Sequence, residues 1–281
     1  MAYSSYRPST LRTLPWLFIA IASPLSDITA HFLTGAVPSS LWILQIAALA
    51  LAALSPPFRP FSIIYAFEKI LFNLHSVFAG PTSEIAGGAN FIADEIQAFS
   101  IGIVFSALIV SLAAYLCGGL RAVYFRPGNL RAPVELHGLR RLRWDIAAPV
   151  LGIGSFGFAL AYVVLTGDPV EHSLSMVLWA VPFAVTNAFL EECTYRIAFI
   201  PALIPHFGPR TAIFVSAAIF GLGHWNGLPY GLPGVLLTLA LGLIVSKALV
   251  DTRGLFWPWF IHFCPDLVMF YFWGLGGVIH K

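Results

Sequence analysis

The sequence predicts an all-α fold, a polytopic transmembrane helix bundle of about eight or nine spans, and two observations carry the prediction. The first is composition. Of 281 residues, 58% are hydrophobic and 10% are charged, whereas a soluble domain carries about 25% charged residues. The chain has 15 Lys and Arg and 13 Asp and Glu, too few to cover a water-facing surface of this size. A soluble fold and a disordered chain are thereby excluded. So is nucleic acid as a partner, because a net charge of +2 supplies no basic face. The second observation is run length. Residues 96–120, 146–167 and 172–190 contain no Asp, Glu, Lys or Arg, and about 20 apolar residues cross a bilayer core.

In chain order the candidate spans are 14–33, 40–54, 61–79, 96–117, 146–166, 174–199, 211–225, 232–250 and 255–275. The first follows Arg7 and Arg12 and contains a small-residue tract, Ala20-Ile21-Ala22, that imitates a signal peptide. In a chain this apolar it reads as an uncleaved span. The runs 40–54 and 211–225 are short and read as tilted partners or half-spans. The stretch 211–246 carries no formal charge, but Gly227, Pro229, Gly231 and Pro233 break it into two helices.

Orientation follows the basic residues. The loop 118–145 holds Arg121, Arg126, Arg131, Arg140, Arg141 and Arg143, whereas 80–95 has Glu84, Asp94 and Glu95 without a base. The N-terminus and the 118–145 loop are therefore expected in the cytoplasm, with the arginines as topological anchors near anionic headgroups. The same loop divides the chain into a four-span unit (1–120), an arginine-rich segment (121–145) and a second membrane unit (146–281). Cys117, Cys193 and Cys264 are far apart and form neither a zinc ribbon nor a disulfide framework.

Ionisable residues inside spans cost about 2.5–3.5 kcal/mol each on insertion scales, so each needs a reason. Asp27, His31, Glu68, Lys69 and His75 form one group. It reads as structural: Asp27 and His31 share a helix face, and Glu68 and Lys69 can pair with a neighbouring helix or snorkel. The second group is Glu191, Glu192, Arg196, His224, His262 and Asp266. Adjacent glutamates on a helix diverge by about 100°, so they are expected to do different jobs. Glu192 and Arg196 stand i,i+4 in the favourable order for an ion pair, which leaves Glu191 as the carboxylate available for acid–base work. Small residues Gly221 and Gly223 precede His224 and admit a close helix neighbour. His224 taken alone reads more readily as a satisfied structural residue. His262 and Asp266 share a face and, taken alone, fit a packing pair as well as a metal or catalytic pair. Pro265 between them frees the carbonyl of Ile261. One tension arises in depth: His224 sits about 20 Å along its helix from a cytoplasmic Arg210, and a helix broken after Pro205 or Pro209 would relieve it.

The three motifs, Glu191-Glu192-x-x-x-Arg196, Phe220-x-x-x-His224 and His262-x-x-x-Asp266, resemble in type and order those of the CPBP family of intramembrane proteases. That family includes the CAAX prenyl endopeptidase of eukaryotes and bacterial relatives linked to bacteriocin immunity or abortive infection. The resemblance covers roughly residues 146–280. It implies a membrane-embedded endopeptidase acting on a membrane-anchored protein or peptide, with Glu191 activating water and His224 binding it. His262 and Asp266 would steady the oxyanion or complete the site. Where eukaryotic members commonly have Asn, this chain has Asp266, and an ionised Asp cannot donate to an oxyanion. Family members have been described as metalloproteases and as glutamate-dependent enzymes. A divalent metal such as zinc on Glu191, His224, His262 and Asp266 therefore stays open as cofactor. Two other classes compete: a non-catalytic immunity or scaffold relative, and a proton-coupled transporter, whose carboxylate and histidine relays use the same residue types.

Overall fold

In lipid every backbone N–H and C=O must be satisfied within its own segment, so uncharged apolar runs become helices. The computed structural model describes residues 10–35, 37–78, 89–135, 142–166, 174–227 and 229–275. Its helices are α1 (Thr10–Thr34), α2 (Ser39–Ala52), α3 (Arg59–Phe78), α4 (Ala89–Cys117), α5 (Trp144–Thr166), α6 (Leu174–Glu191), α7 (Phe199–Gly223), α8 (Gly231–Thr252) and α9 (Phe256–Met269). A π-helical turn, Glu192–Ala198, joins α6 to α7, and a second, Phe270–Leu275, follows α9. Among the described residues no strand forms, and the only β feature is an isolated bridge between Pro133 and Arg143.

Four described stretches are long and apolar enough to cross a membrane: Ile96–Cys117, Trp144–Leu165, Val177–Asn226 and Gly231–Thr252. Phe18–Thr34 and Ser39–Ala52 are shorter apolar helices. The outer faces suit lipid. Helix α5 buries Ala148, Ala159 and Val163 yet exposes Val150, Ile153 and Leu165, so it is apolar on both sides. The charged loop residues Arg140, Arg141, Glu84, Asp168 and Glu171 and the side chain of His75 lie outside the described residues.

Helix α7 is broken where the proline pair anticipated a break. Gly208, between Pro205 and Pro209, has φ 76° and ψ 165°, a conformation that needs glycine. Helix α9, by contrast, runs through Pro265. The carbonyl of Ile261 is met by the Ser155 hydroxyl of α5 at 3.4 Å, so the proline leaves no orphan acceptor there.

Contacts divide the chain into two compact units that interleave along the sequence. The first comprises residues 1–71, 109–125 and 194–247. Its core is a chain of aromatic edges. Phe61 and Tyr65 of α3 each lie 5.2 Å from Phe199, Phe199 lies 5.8 Å from Tyr195, and Tyr195 lies 5.1 Å from Phe220. These tilted and T-shaped pairs are the favoured geometry for aromatic rings. Through them α3, which lies outside the motif-bearing region, buttresses α7 and its Phe220.

The second unit comprises residues 72–108, 126–193 and 248–281. Helix α9 packs on α5 and α6. Gly152 of α5 permits the close approach, since a Cβ there would lie 2.9 Å from the Phe260 ring and 3.0 Å from Cys264 Sγ. The arginine-rich loop has a packing role. It clasps the α8–α9 turn: Leu255 N donates to Arg126 O at 2.8 Å, Asn129 N to Thr252 O at 2.8 Å, and Trp257 Nε1 to Leu130 O at 2.9 Å. Asp251 accepts from the Trp144 indole at 3.0 Å and from Glu135 N at 3.2 Å. Gly128 (φ 90°) meets Gly254 so closely that a Cβ on Gly254 would lie 2.2 Å from the Gly128 Cα. The clasp thus fixes the start of the helix that carries His262. Arg143 ties the loop to the first turn of α5 through Asp145, whose hydrogen bond and charge raise the guanidinium pKa.

Candidate active site

Four of the motif residues gather within the second unit. The imidazole of His262 on α9 sits between the two glutamates at the end of α6. Nδ1 is 2.8 Å from Glu192 Oε1, and Nε2 is 3.3 Å from Glu191 Oε2 and 3.5 Å from Asp266 Oδ1. The adjacent carboxylates do diverge, yet they meet on one ring because imidazole carries nitrogens on opposite edges. The chain widens to a π-turn at Glu192 itself. Such single wide turns are frequent at functional sites.

Exposure separates the carboxylates. Glu192 is 0% exposed, His262 3%, Asp266 13% and Glu191 26%. Glu191 is the member of the cluster that reaches the accessible side. Glu192 is the buried anchor that holds the ring from behind, as a triad carboxylate holds its histidine.

Asn187, one helical turn before Glu191, donates through Nδ2 to Asp266 Oδ2 at 3.1 Å. The motif reading missed it. An uncharged amide raises no insertion cost, although the i,i+4 spacing to Glu191 would have placed it on the same face. The indole of Trp259 donates to Val185 O at 3.1 Å and locks α9 against α6 beside the cluster.

Arg196 and His224 belong to the first unit. Arg196 is fully buried, with its guanidinium carbon 4.2 Å from the Phe220 ring centroid. A desolvated cation–π contact of this kind is worth about 2 kcal/mol. Phe220 also meets the His224 ring edge-on at 4.6 Å. One phenylalanine therefore touches the arginine of the first motif and the histidine of the second. His224 caps α7, and its Nδ1 lies 2.9 Å from the carbonyl of Phe220. A carbonyl only accepts, so Nδ1 carries the proton, and in the neutral ring Nε2 is an acceptor.

The four-residue metal set fits these side chains poorly. His224 offers the right tautomer, but His262 faces carboxylate oxygens from both nitrogens. Both contacts want a proton on the ring, and a metal would need a lone pair there. Among the described residues no group of three or more His, Cys, Asp or Glu is arranged to hold a metal ion.

Comparison with known proteins agrees with the motifs. Residues 173–268 match the family model described as Type II CAAX prenyl endopeptidase Rce1-like. No curated protein and no solved structure matches the chain. The matched stretch holds Glu191, Glu192, Arg196, His224, His262 and Asp266. Over that stretch, about a third of its length, the chain is similar to the Rce1-like CAAX prenyl endopeptidases.

Proposed function

We propose that the protein is an intramembrane endopeptidase that hydrolyses a peptide bond near the terminus of a membrane-associated or lipid-anchored substrate. The observation that carries this reading is the graded exposure around His262: one accessible carboxylate, Glu191, on one edge, and one buried carboxylate, Glu192, on the other. Glu191 takes a proton from water as its oxygen attacks the carbonyl carbon, then delivers that proton to the departing amine. His262, held by Glu192 and carrying hydrogen at Nε2, faces the developing oxyanion as a donor. Asn187 orients Asp266, and by its motif His224 keeps the water-binding role that the family resemblance implies. The N-terminus and the 118–145 loop are cytoplasmic in this proposal. A prenylated C-terminal tail is the first substrate class to try, on the strength of the family's description.

The test compares protein termini in membranes from cells lacking the gene, complemented with wild type or with Glu191→Ala. A set of shortened termini restored by wild type and not by Glu191→Ala supports the reading. Identical termini in all three membranes overturn it.

Asp266→Asn in purified enzyme addresses the metal. The amide still accepts from Asn187 and gains a donor, so activity is expected to stay within about tenfold of wild type. Both proteins are expected to be indifferent to a strong chelator. Activity lost to chelator and restored by zinc, with Asp266→Asn needing more zinc, would put a metal back in the mechanism, since loss of an outer partner costs about 10–100-fold in affinity.

A further inference from the structure

The mechanism leaves the other group of membrane charges unused, and that group forms a second polar centre within the first unit. Lys69 of α3 pairs with Asp27 of α1 at 3.0 Å. Gln45 of α2 points its amide nitrogen at the other oxygen of Asp27 at 2.6 Å, and the same nitrogen lies 2.9 Å from Ser26 Oγ and 3.1 Å from Ser23 O. Three helices thus meet at one carboxylate. Because Asp27 accepts from the amide, the orientation of Gln45 is fixed, and its carbonyl oxygen must point away from the pair.

That oxygen has no donor. Among the described residues Gln45 Oε1 and Glu68 Oε2 are buried without a hydrogen-bond partner, and the buried hydroxyls of Tyr65 and Ser23 have only each other. Gln45 is 6% exposed, Tyr65 1% and Ser23 5%. The Tyr65 hydroxyl faces Ser23 and lies within electrostatic range of Lys69, Glu68 and Asp27. Orphaned oxygens of this kind are rare, and each one buried costs about 1–3 kcal/mol. Clustered beside a charged trio they indicate an occupant.

Chemistry narrows the occupant. Asp27 and Lys69 cancel, so an ionised Glu68 would leave one negative charge in a low-dielectric region that a cation must offset. The four oxygens belong to a carboxylate, an amide, a phenol and a hydroxyl, hard donors with lone pairs to spare and no nitrogen or sulfur among them. A proton on Glu68 would neutralise the charge but leave the Gln45 carbonyl unmet. A small monovalent cation answers both needs, since one ion accepts lone pairs from several oxygens and carries a single positive charge. We propose that Glu68, Gln45, Tyr65 and Ser23 bind a sodium ion that fastens α1, α2 and α3 together.

The experiment uses the full-length protein in detergent and follows thermal unfolding as choline is replaced by sodium at constant ionic strength and pH. A saturable rise in the midpoint, of roughly 2–8 °C, is expected for wild type. Glu68→Gln is expected to abolish the rise while leaving peptidase activity in choline at the wild-type level. If Glu68→Gln does not fold, Tyr65→Phe supplies the test, with the midpoint sodium concentration raised about tenfold for one lost ligand. A flat sodium response in wild type, meaning that water or a proton occupies the site, overturns the proposal. So does an unchanged response in Glu68→Gln or Tyr65→Phe. Because the readout is unfolding, it stands or falls independently of the peptidase reading.

Discussion

Purified Glu191→Gln protein is expected to accumulate and melt like wild type while losing peptidase activity by about 10²–10⁴-fold, the usual worth of a general base. The glutamine occupies the same volume, keeps a carbonyl for the His262 Nε2 contact at 3.3 Å, and replaces a side chain that is partly exposed. Little stability is therefore at stake, whereas the lone pair that accepts a proton from water is gone. The loss should fall on kcat more than on KM, since a base acts in the transition state. Normal cleavage by Glu191→Gln would transfer the base elsewhere, and Asp266 is the neighbour to test next.

Much of this is legible in the sequence, because charge in a membrane is conspicuous. Glu191, Glu192, His262 and Asp266 stand out in apolar surroundings, and they form one cluster. The break in α7 could be anticipated from Pro205 and Pro209, although the residue that bends is Gly208. Features without a charge or a proline stayed hidden. Asn187 is one polar residue among many in an apolar run. The π-turn from Glu192 has no residue signature, so the meeting of two neighbouring glutamates on one imidazole could not be read from an ideal helix. The clasp of Gly128 on Gly254 joins positions far apart in sequence, and nothing local announces it. Lys69 has a partner on a neighbouring helix, as its position suggested, but only the folded chain identifies Asp27. Asp27 itself turns to Gln45 and Lys69, where the sequence had suggested His31.

Glu192→Gln should behave in the opposite way to Glu191→Gln and damage the scaffold first. Glu192 is fully buried and accepts from His262 Nδ1 at 2.8 Å, a charge-assisted bond. A neutral amide can occupy the position, but it no longer offsets charge on the imidazole. Removing one member of a buried charge pair costs about 3–5 kcal/mol. The midpoint of thermal unfolding should therefore fall by on the order of 10 °C, and less protein should accumulate in membranes. Activity per folded molecule should fall as well, because His262 loses the partner that fixes its ring and supports its charge. The same argument makes Glu192→Asp a poor rescue, since a shorter side chain cannot reach Nδ1 from the π-turn. The comparison that decides is between the two glutamates. If Glu192→Gln melts and accumulates like wild type but is inactive, while Glu191→Gln cleaves normally, the accessible and the buried carboxylate must exchange roles.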